Sequence, residues 1–146
     1  MAEFQPRVNE VISEESANKM LVMLKGVIDG GTGSRMRYKY EIDCEMGGKT
    51  GTTNRNSDAW FMGFTPSLVS GCWVGGEDRD IHFDSTNMGQ GANMALPIWA
   101  YYMKKVFADR SLGYDPKEKF DIPEGYNPCA SKADEFGLNG IEEVYE

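Results

Sequence analysis

The sequence predicts an α/β architecture of the α+β type, with an antiparallel sheet flanked by helices. Apolar residues recur every three to four positions over 14–29 and again over 97–107, and three short segments between them are rich in strand formers. Because a short turn separates the last two of these segments, we expect them to pair as an antiparallel hairpin. The order helix, three strands, helix is typical of helices packed on an antiparallel sheet.

The first helix is predicted over residues 14–29. Ser13 is a suitable N-cap, two glutamates favour the positive end of the helix dipole, and Gly30 and Gly31 end the helix. The residues predicted to face the core share helical spacing and apolar side chains: Ala17, Met20, Leu21, Leu24, Val27 and Ile28.

Three strands are predicted next, over residues 46–53, 59–65 and 68–74. Residues with high strand propensity dominate the last two, and Pro66 presets the backbone for the turn between them. The basic and aromatic segment 35–40, which precedes these strands, has no clear assignment.

Residues 75–95 are predicted to form a polar loop, and residues 97–107 a helix with Pro97 in its first turn. Residues 1–110 are expected to form one domain. Residues 111–146 are rich in proline, glycine and acidic residues and are expected to be an irregular or disordered tail. The apolar face of the last helix is assigned to Ile98, Tyr101, Tyr102, Met103 and Val106.

Composition narrows the classes of function. Fifteen basic and 23 acidic residues give a net charge of −8, which argues against nucleic-acid binding through phosphate neutralisation. The sequence contains no apolar stretch long enough to span a membrane and no visible signal peptide. Its three cysteines and one histidine match no zinc-binding pattern. No metal and no cofactor are therefore expected.

Residues 47–53 carry the strongest chemical signal. They place Lys49 inside a strand, between glycines and threonines, and glycines in a strand often allow a ligand or another backbone to approach closely. Alternation along the strand puts Thr50 and Thr52 on one face. A fixed positive charge with neighbouring hydroxyl donors predicts a cradle for a carboxylate.

Two other interpretations of this segment are open at this point. Residues 48–50, Gly-Lys-Thr, match the end of a phosphate-binding loop, but the full pattern requires a glycine at the position of Asp43 and a helix after the threonine. The segment is also compatible with a glycine-rich edge strand whose lysine is solvated.

An ordered set of segments surrounds the Lys-Thr-Gly sequence. Residues 48–54, Gly-Lys-Thr-Gly-Thr-Thr-Asn, are followed by Asp-Ala-Trp-Phe-Met-Gly-Phe-Thr-Pro at 58–66 and Val-Ser-Gly-Cys-Trp-Val-Gly at 69–75. A helix that ends before Gly-Thr-Gly at 31–33 precedes them, and Ala-Leu-Pro-Ile-Trp at 95–99 follows. This set resembles the third motif, the following hairpin and the last helix of class A penicillin-binding proteins. The resemblance implies part of the penicillin-binding and β-lactamase-like transpeptidase fold.

This resemblance implies a D,D-transpeptidase that cross-links peptidoglycan stem peptides ending in D-Ala-D-Ala through a serine acyl-enzyme, and that binds penicillin and other β-lactams. Lys49, Thr50 and Thr52 are expected to hold the terminal carboxylate of the stem peptide. The backbone N–H of Thr52 is expected to supply one oxyanion-hole donor. Gly51 and Thr53 complete the predicted substrate-binding set, in which Lys49 and Thr52 are the residues expected to contribute to catalysis.

The nucleophile is expected to lie outside the chain. Residues 16–19, Ser-Ala-Asn-Lys, satisfy the Ser-x-x-Lys pattern. They lie, however, in the first turns of the helix that comes before the Lys-Thr-Gly strand, a position that the family uses structurally. Residues 85–87, Ser-Thr-Asn, imitate the second motif but follow the third. The chain is therefore expected to be a fragment or truncated product of a membrane-anchored protein on the periplasmic or extracytoplasmic side of the bacterial inner membrane. The missing N-terminal part is its expected partner.

Two alternatives stay open at the level of the sequence. One is a stand-alone D,D-carboxypeptidase or β-lactamase-like serine hydrolase, and the other is a non-catalytic module that kept the scaffold and lost the serine. His82 is expected to be a solvent-exposed loop residue, and Trp60, Trp73 and Trp99 are expected to line the core or a cleft.

Overall fold

The structure, a computed structural model, describes residues 9–129. Two long helices and a three-stranded sheet form the framework of this part of the chain, and two short helices lie in the loops. The elements in chain order are α1 (Glu14–Asp29), α2 (Arg35–Tyr38), β1 (Gly47–Thr52), β2 (Asp58–Phe64), β3 (Val69–Gly75), α3 (Thr86–Gly89) and α4 (Ala95–Ala108). Single 3-10 turns cover Asn54–Asn56 and Arg110–Leu112.

The sheet is antiparallel with the strand order β1-β2-β3. This confirms the predicted fold class, and each strand boundary differs from its prediction by a single residue. Thr65 N–H donates to Leu68 O across the Pro66 turn at 2.8 Å, which closes the predicted hairpin. Residues that pair directly share a face of the sheet, so the register places Thr50 beside Phe61 and Lys49 beside Met62.

Helix α1 has the predicted bounds, but its buried stripe is narrower than predicted. Ser13 caps it, because the Ser13 hydroxyl accepts from Ser16 N–H at 3.2 Å. Ile28 is fully buried, whereas Met20 is 53% exposed, so the assignment of Met20 to the core is wrong. Since α1 lies against the edge strand β1 rather than across the sheet, only a limited part of its circumference meets other residues.

The predicted apolar face of α4 is only partly correct. Met103 and Val106 are buried as predicted, but Ile98, Tyr101 and Tyr102 are 44–60% exposed. The buried face instead consists of Ala95, Leu96, Trp99, Ala100, Met103 and Val106.

The packing of Trp99 on the sheet explains why α4 buries a different face from the one predicted. A Cβ at Gly63 would lie 2.5 Å from the Trp99 ring, so the glycine makes room for the indole on β2. The indole also packs edge-on against Phe61, with 5.2 Å between ring centroids, and its N–H donates to Ser70 Oγ at 2.8 Å. Ring packing and a satisfied indole N–H together orient the helix.

The core lies between the sheet and the helices. Segment 36–46, which includes α2, contributes Met36, Tyr40, Ile42, Cys44 and Met46 to it, and helix α4 contributes Leu96, Trp99, Ala100 and Met103. Residues 35–40 had no assignment from the sequence, and neither α2 nor α3 was predicted. Helices of four residues have little stability of their own and depend on tertiary contacts, which a local pattern does not reveal.

The two faces of the sheet differ in exposure. Helix α4 covers the face that carries Phe61. The opposite face presents Trp60, Met62 and Trp73, which are 46%, 44% and 47% exposed. Lys49 lies on this opposite face because it pairs with Met62. We call the surface formed by Lys49, Trp60, Met62 and Trp73 the outer face, and the covered surface the inner face.

Residues 113–129 contain no helix or strand, and Phe120 and Tyr126 attach this segment to the sheet and to α1. The Phe120 ring packs edge-on against Phe64, with 5.8 Å between centroids, and Phe120 N–H donates to Glu45 Oε2 at 3.0 Å. Tyr126 Oη donates to Glu15 O at 3.2 Å. The rest of the predicted tail, residues 130–146, lies outside the described residues.

Candidate functional site

The free edge of β1 brings the predicted substrate-binding residues together. β1 pairs with β2 on one side, and no described strand pairs with its other side. Thr53 N–H donates to Asp58 O at 3.1 Å, toward β2. Because successive N–H groups along a strand point to opposite sides, the N–H groups of Thr52 and Thr50 point to the free edge.

Lys49 extends from the outer face and bends back to the same edge. Its side chain is exposed, and Nζ donates to Thr50 O at 2.9 Å. This bond holds the ammonium beside the strand edge, next to backbone groups that pair with no strand in residues 9–129.

Thr50 and Thr52 share the inner face, as the strand alternation predicts. Their hydroxyls contact two loops that the sequence did not connect with the site. Thr50 Oγ1 lies 3.1 Å from Thr32 Oγ1, in the loop after α1. Thr52 Oγ1 accepts from Gly91 N–H at 3.1 Å, in the loop before α4. These partners are 18 and 39 residues away in sequence, so no short motif contains them.

Gly51 lies against Gly91 in the loop before α4. A Cβ at Gly91 would be 2.5 Å from both Gly51 O and Trp60 O, so the loop can approach the strand only because residue 91 is a glycine. Arg35 Nη1 donates to Ala92 O at 3.2 Å and ties this loop to α2.

Thr53 closes the turn between β1 and β2. Its hydroxyl accepts from Asp58 N–H at 3.0 Å and lies 3.0 Å from Ser57 Oγ. Thr53 therefore shapes the end of the strand, and its assignment to the substrate-binding set stays a prediction.

Ser16 of the misleading Ser-x-x-Lys pattern and the single histidine, His82, both lie at the surface. Ser16 is exposed in the first turn of α1 and bonds to Ser13, and Lys19 forms an ion pair with Glu15. Since α1 rises about 1.5 Å per residue, Ser16 lies roughly 20 Å along the axis from the end of α1, near which Thr32 meets Thr50. His82 is exposed in its loop, as predicted.

Cys44 is the described side chain whose pKa is most clearly perturbed. Burial raises the pKa of its thiol to about 11, against the weaker opposing effect of Arg37. At neutral pH Cys44 is therefore an uncharged thiol in the core and a poor nucleophile.

Within residues 9–129, no group of three or more His, Cys, Asp or Glu side chains could hold a metal ion. The helices of the same range are too short or too polar to cross a membrane. A cavity of about 460 Å³ lies between α1 and the segment around Phe120, away from the β1 edge.

No protein-family model matches the chain. Curated relatives, however, agree with one another. Penicillin-binding protein 1A of Aquifex aeolicus is 36% identical over 118 residues, which are 81% of this chain and 15% of that protein. The chain is homologous to part of penicillin-binding protein 1A. The protein of that name from Pseudomonas aeruginosa is 35% identical over 113 residues, which are 75% of this chain and 13% of the relative.

A solved structure supports the same conclusion. The crystal structure of penicillin-binding protein 1A from Haemophilus influenzae matches 78% of this chain with a TM-score of 0.61 at 31% identity, and the match covers 17% of that structure. The chain thus spans about one sixth of the length of the penicillin-binding proteins 1A that it matches. These comparisons confirm the resemblance to class A penicillin-binding proteins.

Proposed function

We propose that this chain is the part of a D,D-transpeptidase domain that binds the terminal carboxylate of a peptidoglycan stem peptide. In this proposal penicillin and other β-lactams compete for the same edge, and the reaction forms a serine acyl-enzyme. The serine lies in another part of the same polypeptide. The domain acts on the extracytoplasmic side of the bacterial membrane.

The observation that carries the proposal is the free edge of β1 in a chain 36% identical to penicillin-binding protein 1A. Lys49 supplies an ammonium beside this edge, and Thr50 and Thr52 supply N–H groups that point to the edge and hydroxyls on the inner face next to it. A carboxylate accepts hydrogen bonds and carries negative charge, so it matches this set of donors. The Thr52 N–H is then placed to donate to the oxyanion of the tetrahedral intermediate.

The outer face supports the proposed position of the missing serine. It is apolar, with Trp60, Met62 and Trp73 each more than two fifths exposed, and it also carries Lys49. Such a patch on a sheet is typical of a surface that packs against another part of the protein. We assign it to the serine-bearing part of the same polypeptide, since the chain spans only about one sixth of its relatives. Lys49 then lies at the junction of the two parts.

The test of this proposal is Lys49→Ala in the longest reading frame that encodes the chain. The substitution removes a charge-assisted contact to a carboxylate, and we expect acylation by a fluorescent penicillin to slow by about ten- to a hundredfold. The matched control is Lys104→Ala, which removes an exposed ammonium near the end of α4. An unchanged acylation rate in a folded Lys49→Ala protein would exclude the carboxylate-binding role.

A further inference from the structure

We propose that Thr32 is a positioning residue of the carboxylate site, acting through its hydroxyl contact with Thr50. This inference rests on the proposed function of β1. It adds a residue of the Gly-Thr-Gly segment after α1, to which the sequence analysis assigned no role in the site.

A bound carboxylate would determine which of the two threonines donates in their hydrogen bond. Thr32 Oγ1 and Thr50 Oγ1 are 3.1 Å apart, and either can donate. Each hydroxyl has one hydrogen to donate, whereas a carboxylate only accepts. When a carboxylate lies at the β1 edge, both bonds form only if Thr32 donates to Thr50 and Thr50 donates to the carboxylate. Bonds aligned in this sense also strengthen one another.

The Thr52 hydroxyl is also left able to donate, because a backbone N–H occupies its oxygen as an acceptor. Gly91 N–H can only donate, so the 3.1 Å bond fixes Thr52 Oγ1 as its acceptor and leaves the Thr52 hydrogen for another partner. The bond from Arg35 to Ala92 O holds the Gly91 loop in place. Contacts from two loops therefore leave both threonine hydroxyls able to donate to a carboxylate at the β1 edge.

Thr32 suits this role because it is exposed and lies outside the core. Thr32 is exposed and Thr50 is half-buried, so both hydroxyls can be reached from solvent. We therefore expect replacement of Thr32 to leave the packing of Ile28 and the other core residues unchanged, so that its effect can be separated from unfolding.

The experiment compares Thr32→Val, which keeps the shape and removes the hydroxyl, with Thr32→Ser, which keeps the hydroxyl. Both are made in the full-length protein that contains this chain. Acylation rates are measured with a penicillin and with the methyl ester of the same penicillin, which has no carboxylate charge. Losing one neutral hydrogen bond should slow acylation by the free acid about three- to tenfold in Thr32→Val. The ester keeps only a weaker, uncharged carbonyl acceptor, so its rate should fall by a smaller factor, and Thr32→Ser should restore the rate with the acid.

The Lys49→Ala protein, measured in parallel, separates the two proposals. Slow acylation in Lys49→Ala with an unchanged rate in Thr32→Val would overturn the role of Thr32 and leave the proposed function intact. An equal loss for acid and ester, or no rescue by serine, would also overturn it, since either result indicates a structural effect. Unchanged acylation in Lys49→Ala would overturn both.

Discussion

Glu45 links the segment after α4 to the body of the protein. Its carboxylate lies 3.3 Å from Lys25 Nζ and 3.5 Å from Lys119 Nζ, and it accepts from Phe120 N–H. Partial burial by itself raises the pKa of Glu45, but the Phe120 N–H and the charge of Lys25 outweigh burial and hold this pKa below its ordinary value. The charged form is therefore favoured in the folded protein.

This lowered pKa predicts a dependence of stability on pH. Because the folded pKa of Glu45 is depressed, its charged form stabilises the folded protein. This contribution to the free energy of unfolding is fully present above the unfolded pKa and is lost as the pH falls through the folded pKa. At pH 7 we expect Glu45→Gln to lower the free energy of unfolding by about 0.5–1.5 kcal/mol. The difference from the wild type should shrink as the pH falls below about 4.

Urea unfolding of the chain at pH 7 and at pH 3 measures this difference. The control is Glu77→Gln, an exposed carboxylate in the loop after β3, which should have little effect at either pH. A Glu45→Gln difference that stays constant with pH would contradict the account, because it would then not arise from the charge.

At the scale of single residues, local sequence predicts only part of the site. Lys49, Thr50 and Thr52 could be placed because a strand alternates its side chains and their motif is contiguous. Thr32 and Gly91 could not be placed, because the fold brings them to β1 from other segments. The contact of Phe120 with Phe64 also joins distant segments. It was not predicted, because the proline and acidic residues around Phe120 are typical of an irregular tail.

At the scale of elements, the packing of α4 on β2 depends on the absence of a side chain at residue 63. We expect Gly63→Ala to lower the free energy of unfolding by about 1–3 kcal/mol, because its Cβ would overlap the Trp99 ring. Gly26→Ala is the matched control in α1, where a Cβ meets nothing within 4 Å. It should instead raise the free energy of unfolding by roughly 0.5–1 kcal/mol.

Urea unfolding followed by circular dichroism gives the free energy of unfolding of both variants without relying on the fluorescence of Trp99. Equal effects of the two substitutions would show that Gly63 matters for backbone freedom and not for the space it leaves.

Hydrophobic periodicity does not predict which face is buried in a helix that is apolar around most of its circumference. The bounds of α1 and α4 follow from capping, glycine and proline signals and were predicted within two residues. The buried face of α4 was not predicted correctly, because apolar residues such as Leu96, Ile98 and Tyr102 occur around most of the helix. Only the fit of Trp99 over Gly63 selects which of them face the core.

At the scale of the whole molecule, the described sheet has two free edges and an exposed apolar face. β1 and β3 each pair on one side only within residues 9–129, and Trp60, Met62 and Trp73 remain accessible to solvent. The proposed function explains these features together: the β1 edge receives the substrate carboxylate, and the outer face packs against the serine-bearing part. The chain then contributes donors and positive charge but no nucleophile.

The most direct test of this account is covalent labelling by penicillin. Purified chain is incubated with a fluorescent penicillin and weighed by intact-mass spectrometry, in parallel with a protein that includes the upstream region. Acylation requires an activated serine beside a base and an oxyanion hole, so we expect no adduct on the chain alone. The longer protein should be labelled stoichiometrically at a serine outside the 146 residues. A stoichiometric adduct on the chain alone that disappears in Ser16→Ala would contradict the account and make Ser16 the nucleophile.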